Sequence, residues 1–268
     1  MLQQFSAKWT NVLLCVVVVL LVVDIYAIYN RSKSDDTMVI PEDLRADVLF
    51  QLGQYYFNHD DDPAGPYDIE KAQLFYEEAV AKDPLQNNQA WYQLGRTYFI
   101  QGDFDSALEK FDKQIELFGQ EVPNVYYMIG LTYGYKARST NDPEDWKKGE
   151  EAFLKFVSLA PLAPWSRVDL AWLYFAQGKY EAMFPVLEEG LLYRPDNAWL
   201  LNMYGLALLN TGEKEKAHAQ FTKALEIAVT LTPEDWGESY PGNSPDIWKQ
   251  GLSEFRTAIE QNVLLTQE

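Results

Sequence analysis

Residues 88–121 read NQAWYQLGRTYFIQGDFDSALEKFDKQIELFGQE, and the fold follows from this stretch. Its first half predicts a helix with one apolar face, because Trp91, Leu94 and Tyr98 lie three and four residues apart. A turn at Gly102 then separates this helix from a second amphipathic one. The positions that match a 34-residue helix-turn-helix repeat are Trp91, Leu94, Gly95, Tyr98, Gly102, Ala107 and Phe111.

The same spacing recurs along the chain. Most copies place a large apolar residue before a glycine in the first helix, as in Leu52-Gly53 and Ile129-Gly130, whereas the fourth copy has Ala171 there and Arg167 in place of the tryptophan. The first and third copies are longer between their two helices, which predicts longer tips in both. The successive units are 46–87, 88–121, 122–162, 163–197 and 198–231.

This pattern resembles the tetratricopeptide repeat (TPR) family over residues 46–231, and with its N-terminal apolar segment the chain resembles a membrane-anchored bacterial member. The resemblance implies an all-α, right-handed superhelical solenoid of about five helix-turn-helix repeats. A single hairpin cannot bury its own apolar face, so the units must stack. After the repeats, the proline and glycine residues of 232–245 predict a loop, and residues 246–265 have the period of a closing helix that covers the last repeat.

The N-terminus carries an apolar run that predicts a membrane anchor. A short tail, 1–11, precedes a segment, 12–29, which is about long enough to cross a bilayer and is interrupted only by Asp24 near its end. A polar linker, 30–45, leads into the repeats. Lys8 and the free amino terminus on one side balance Arg31 and Lys33 on the other. Orientation therefore rests on the short tail, which favours a cytosolic N-terminus and extracytoplasmic repeats.

Charge and motifs exclude several functions. The net charge is −18, from 40 acidic against 22 basic residues, which argues against nucleic-acid binding and favours a partner with basic flanks. We find no catalytic motif, cofactor motif or metal-ligand spacing in the sequence, so no enzyme, cofactor or metal site is predicted. The acidic run Asp60 to Asp62, with Asp68, has the composition of a solvated turn rather than of a calcium loop.

The register of the repeats predicts a binding groove. In the family, the concave face is lined by residues one, five and eight places after the first signature position of each repeat. The resemblance therefore implies an apolar, aromatic groove without the basic residues of repeat proteins that clamp carboxylates. The predicted groove residues are Phe50, Phe57, Tyr92, Arg96, Phe99, Tyr127, Leu131, Trp172 and Phe175.

The expected function is that of a non-catalytic, membrane-tethered scaffold whose groove binds an apolar segment of another protein during envelope or complex assembly. Carbohydrate or cell-wall binding is an alternative, because aromatic faces stack on sugar rings. Self-association is a third possibility. Whether the groove is open or filled by the chain's own C-terminal helix is not decided by the sequence.

Overall fold

The computed structural model describes residues 40–57, 66–119, 122–163, 165–240 and 243–267, and in these ranges the secondary structure is entirely helical. A short 3₁₀ turn, Pro245–Ile247, precedes the last helix. The helices are α1 Ala46–Phe57, α2 Ile69–Lys82, α3 Ala90–Ile100, α4 Phe104–Phe118, α5 Pro123–Thr140, α6 Pro143–Leu159, α7 Trp165–Ala176, α8 Tyr180–Tyr193, α9 Ala198–Asn210, α10 Lys214–Ala228, α11 Pro233–Ser239 and α12 Trp248–Gln267.

Helices α1 to α10 form consecutive antiparallel hairpins, and each hairpin packs on the next. The helices within a hairpin are in extensive contact, and successive first helices, α3, α5 and α7, also touch. This arrangement is the solenoid that the sequence pattern predicts, with the core distributed along the stack rather than gathered at one centre.

A glycine in the first helix seats an aromatic ring of the second helix in the same hairpin. A Cβ at Gly95 would lie 2.5 Å from Cε1 of Phe111, and the same relation joins Gly205 to Phe221. Gly95 therefore leaves space for the ring of Phe111, which is fully buried. The fourth hairpin has Ala171 at this position.

Tyrosine–glutamate hydrogen bonds join neighbouring hairpins. Tyr98 donates its hydroxyl to Glu77 Oε1 of the preceding hairpin at 2.6 Å. The same kind of bond joins α7 to α6 and α9 to α8. These bonds tie each first helix to the hairpin before it.

Arg167 replaces the signature tryptophan of the fourth hairpin and is only 1% exposed. Its guanidinium donates to Glu189 Oε1 at 2.7 Å and to the carbonyl of Ala163 at 3.3 Å. The hydrocarbon part of the side chain packs against Gly190 of α8, and Glu189 pairs with the charge at its end.

Two predicted loops are wrong in part. The third hairpin has no long tip, because its extra residues lengthen α5 and α6, and Asn141, with φ of 56°, makes the turn between them. The stretch 232–245, predicted as a loop, contains α11. Thr232 and Asp235 form a capping box around Pro233 at the helix start, a signal that the prediction, based on the proline and glycine residues, did not use.

The closing helix α12 packs against α10 and α11. Ile259 is fully buried there, and the indole rings of Trp236 and Trp248 each lie against a glycine of the opposite helix. Arg256 fastens α12 to the end of α10: its guanidinium donates to the carbonyls of Ala228 at 2.9 Å and Leu231 at 2.6 Å. These carbonyls lie at or beyond the helix end, where no further turn of helix is available to bond them.

We expect Arg256→Ala to loosen α12 without unfolding the repeats. The substitution removes the charge-assisted hydrogen bonds to these carbonyls, which costs about 1–2 kcal/mol. Amide hydrogen exchange of α12 should therefore accelerate roughly tenfold, with little change in α3 or α5. The control is Lys249→Ala, an exposed position on the same helix. Equal exchange in the two variants would mean that Arg256 does not hold the helix.

The predicted anchor, 12–29, lies outside the described residues. Within the described ranges, no helix is both long enough and apolar enough to cross a membrane.

Candidate functional site

A groove of about 930 Å³ lies along α3, α5 and the start of α7. Aromatic and apolar side chains of these first helices line it, together with the end of α11. Because successive first helices lie side by side in the stack, residues far apart in sequence face the same space. We call this space the central groove.

The predicted groove residues of the second and third repeats line the central groove: Tyr92, Arg96, Phe99, Tyr127 and Leu131. Except for the buried Arg96, each is partly exposed, as expected of a wall that faces a cavity. The spacing of four and three residues on α3 and α5 places these side chains on one face of each helix.

The remaining predicted residues have other positions. Phe50 and Phe57 are 5% and 1% exposed, and their rings pack against Tyr76 of α2, so they belong to the core of the first hairpin. This part of our prediction is wrong. Phe57 is covered by Arg96 of the next hairpin, whose guanidinium lies 4.5 Å from the ring centre. Phe175 packs on Tyr180 within the fourth hairpin, with 5.7 Å between ring centroids.

Trp172 extends the aromatic wall indirectly. Its ring centroid lies 5.3 Å from that of Tyr135, which in turn lies 5.7 Å from that of Phe99. The angles between these ring planes are 36° and 71°, so the rings support one another instead of presenting parallel faces. The wall is therefore a packed aromatic surface whose side chains are held in place.

Arg96 brings a positive charge to the α3 side of the groove. Its Nη1 donates to Oε1 of Gln93 at 3.0 Å, and its guanidinium also lies over the ring of Tyr92 at 5.8 Å. Among the described residues, no carboxylate lies within ion-pair distance of it. Aromatic faces and one amide hold this charge in place.

Asp169 brings a carboxylate to the α7 side of the groove. Its Oδ2 accepts a hydrogen bond of 2.8 Å from the hydroxyl of Tyr127. Burial raises the pKa of Asp169 to about 7, although the bond from Tyr127 acts in the opposite direction. Burial and the carboxylate together raise the pKa of Tyr127 well above its ordinary value, so the phenol keeps its proton.

The end of α11 closes one side of the groove with Glu238, Ser239 and Tyr240. Trp199 of α9 donates its indole N–H to the hydroxyl of Tyr240 at 3.0 Å and fixes that ring. Burial, followed by the charge of Asp169, raises the pKa of Tyr240 to about 12. The predicted closing helix, now α12, does not fill the groove; the segment before it forms a wall.

Sequence reasoning missed Asp169, Tyr135 and Tyr240. Asp169 is adjacent to a position that the repeat register assigns to the groove, and an acid in an otherwise apolar first helix was the available signal. Tyr240 had no such signal, because it reaches the groove through the packing of α11, which no repeat register describes.

Acidic and histidine side chains outside the groove have structural roles. Asp68, considered with the acidic run, caps α2 by accepting from the backbone N–H of Lys71 at 3.0 Å; Asp60 to Asp62 lie outside the described residues. His218 shares a 3.0 Å hydrogen bond with Thr266 and joins α10 to α12. In the described ranges, no group of three histidine, cysteine or acidic side chains is arranged to hold a metal ion.

Comparison with known proteins agrees with this architecture. The family model of the tetratricopeptide repeat matches residues 68–121 and 168–231. The TPR repeat-containing protein MJ1428 of Methanocaldococcus jannaschii is 24% identical over 194 residues, which are 70% of this chain and 30% of that protein. The chain thus spans about a third of the length of this relative.

Solved structures share the fold. YrrB, described as a TPR protein with an unusual peptide-binding site, is 18% identical with a TM-score of 0.52, over 69% of this chain and 87% of that one. PilW, described as a widely conserved type IV pilus biogenesis factor, is 15% identical with a TM-score of 0.55, over 83% of this chain and 98% of that one. At these identities the likeness concerns the fold alone.

Proposed function

We propose that this protein, whose repeats belong to the tetratricopeptide repeat family, is a non-catalytic scaffold that binds a segment of another protein in the central groove. The observation that carries the proposal is the groove itself: a cavity of about 930 Å³ walled by aromatic side chains from successive first helices. Ligand sites are concave and mostly apolar, with a few placed polar groups, and this groove has that character.

The fold neighbours support a polypeptide ligand. The description of YrrB names a peptide-binding site, and that of PilW names a role in pilus biogenesis. A groove built from parallel first helices suits an extended or helical segment with apolar side chains. With a net charge of −18 on the scaffold, basic residues flanking that segment would also be attracted.

A carbohydrate is the less favoured ligand. Sugar rings stack on exposed aromatic faces that lie parallel to them, whereas the rings of Phe99, Tyr135 and Trp172 pack on one another at 71° and 36°. Their faces are partly used in this packing, so they are not free to lie parallel to a sugar ring. We therefore prefer a peptide.

The proposal includes a membrane tether at residues 12–29. The apolar run from Val12 to Val23 and the short linker that follows would hold the groove close to a bilayer, on its extracytoplasmic side. Concentration at a membrane surface suits a scaffold that acts in envelope or complex assembly, because a tethered binder meets membrane-bound partners at a higher local concentration.

A photocrosslinking experiment tests the groove. A photoreactive residue in place of Phe99, in intact cells, should capture one or a few proteins, and the additional change Tyr92→Ala should reduce capture roughly tenfold, as expected for loss of an aromatic anchor. Leu154 on α6 is the matched control position, because it is 48% exposed and lies outside the groove. Capture of the same proteins from both positions would contradict the proposal.

A further inference from the structure

Three tyrosines lie around the carboxylate of Asp169, and within the described ranges no basic side chain pairs with it. Tyr127 and Tyr135 of α5 and Tyr240 at the end of α11 line the same part of the groove. The pKa of each of these phenols is raised, through burial first and also through the charge of Asp169. Among the described residues, no lysine or arginine forms an ion pair with Asp169, and its one hydrogen bond comes from Tyr127.

We propose that this cluster is a receptor for a basic side chain: a lysine or arginine of the bound segment enters the groove between Tyr127, Tyr135 and Tyr240 and pairs with Asp169. The phenol oxygens can accept hydrogen bonds from an ammonium or guanidinium group, and the carboxylate of Asp169 makes its own bond to that group charge-assisted. This inference rests on the proposed peptide-binding function and adds to it the chemistry of one recognised residue.

The charge distribution decides where the cation goes. Arg96 lines the opposite side of the groove and repels a second positive charge there, whereas Glu238 on the α11 wall adds a negative charge beside the cluster. A segment with one basic residue among apolar ones therefore fits in one orientation, with its cation at α7 and its apolar part along Phe99 and Leu131.

Ionisation of Asp169 links this recognition to pH. Because burial holds the pKa of Asp169 at about 7, an entering cation must bind the ionised form and lower that pKa. The charged or titratable groups that line the groove with it are Tyr127 and Tyr135 from α5, Glu238 and Tyr240 from α11, and Tyr92 and Arg96 from α3. No histidine is among the described residues of the lining. Affinity should therefore rise with pH between about 6 and 8.

The test selects peptides on the protein itself. A displayed library of random 12-residue peptides is selected against the full chain, and enriched sequences are measured by fluorescence polarisation. We expect a lysine or arginine with apolar neighbours. Acetylating that lysine, which removes its charge, should weaken binding at least tenfold at pH 8. Asp169→Asn should have a similar effect and abolish the rise with pH, whereas Glu109→Gln, an exposed acid on α4, should have neither effect.

The other outcomes separate the two proposals. Peptides that bind in the groove, as judged by loss in Tyr92→Ala, but carry no basic residue or ignore Asp169→Asn would overturn this inference and leave the proposed function standing. Acidic peptides that lose affinity in Arg96→Gln would do the same. If no peptide depends on Tyr92, both the inference and the peptide-binding function fail.

Discussion

Gly95→Ala is expected to lower the free energy of unfolding by about 2 kcal/mol. The new methyl group would meet Cε1 of Phe111 at 2.5 Å and Cδ1 at 2.7 Å, and that ring is fully buried and cannot move aside. Overpacking of this kind costs roughly 1–3 kcal/mol or more, which exceeds the gain of about 1 kcal/mol in helix propensity from glycine to alanine. Urea unfolding followed by circular dichroism measures the change.

The fourth hairpin suggests a second substitution that should offset the destabilisation caused by Gly95→Ala. There Ala171 stands at the glycine position and Leu187, in the same core cluster, at the place of the aromatic ring. Combining Gly95→Ala with Phe111→Leu should therefore cost less than the sum of the two single changes, by about 1–2 kcal/mol in a double-mutant cycle. If the unfolding free-energy changes of the two single variants simply add in the double variant, the methyl group is accommodated by a shift of the helices and not by the contact between residue 95 and the ring of Phe111.

Asp169 is expected to make stability depend on pH in a direction opposite to that of most acids. Its folded pKa of about 7 lies above the ordinary 3.8, so the folded state holds this proton more tightly than the unfolded chain does. The resulting stabilisation is complete below about pH 4 and is lost as pH rises through 7. From pH 5 to pH 8 the loss amounts to about 2 kcal/mol, after allowance for the partial exposure of the side chain.

Asp169→Asn removes this dependence. The difference in unfolding free energy between the variant and the wild type should shift by about 2 kcal/mol in favour of the variant between pH 5 and pH 8. Asp105→Asn is the control, because that side chain is 81% exposed. Parallel pH profiles for the wild type and Asp169→Asn would show that the carboxylate is already ionised and solvated in the groove.

The repeat architecture could be predicted because its determinants are local. The pairing of a small residue with a large one, such as Gly95 with Phe111, recurs from hairpin to hairpin. Among the described residues, each hairpin makes its main contacts with its neighbours. Arg167, which replaces the signature tryptophan of the fourth hairpin, does not disrupt the repeat, because Glu189 of the same hairpin neutralises its charge. The register also placed Tyr92, Tyr127 and Leu131 on the faces of α3 and α5 that line the central groove.

The remainder depends on contacts that no repeat period encodes. Phe57 occupies the same face as the groove residues but is buried, because Arg96 and Tyr76 cover it. Tyr240 lies in a stretch rich in proline and glycine, and only the packing of α11 brings it beside Asp169. The helical period identifies which side of a helix a residue occupies, but not which neighbouring side chain covers it.

The position of α11 has a consequence for engineering. Solenoids are usually lengthened by adding units, and stability then grows roughly with their number. Here the segment that follows the fifth hairpin reaches back to the wall shared by the second, third and fourth. A repeat inserted between the fourth and fifth hairpins would move Tyr240 away from Asp169 by the length of one repeat. The groove therefore keeps its α11 wall only at the present number of repeats.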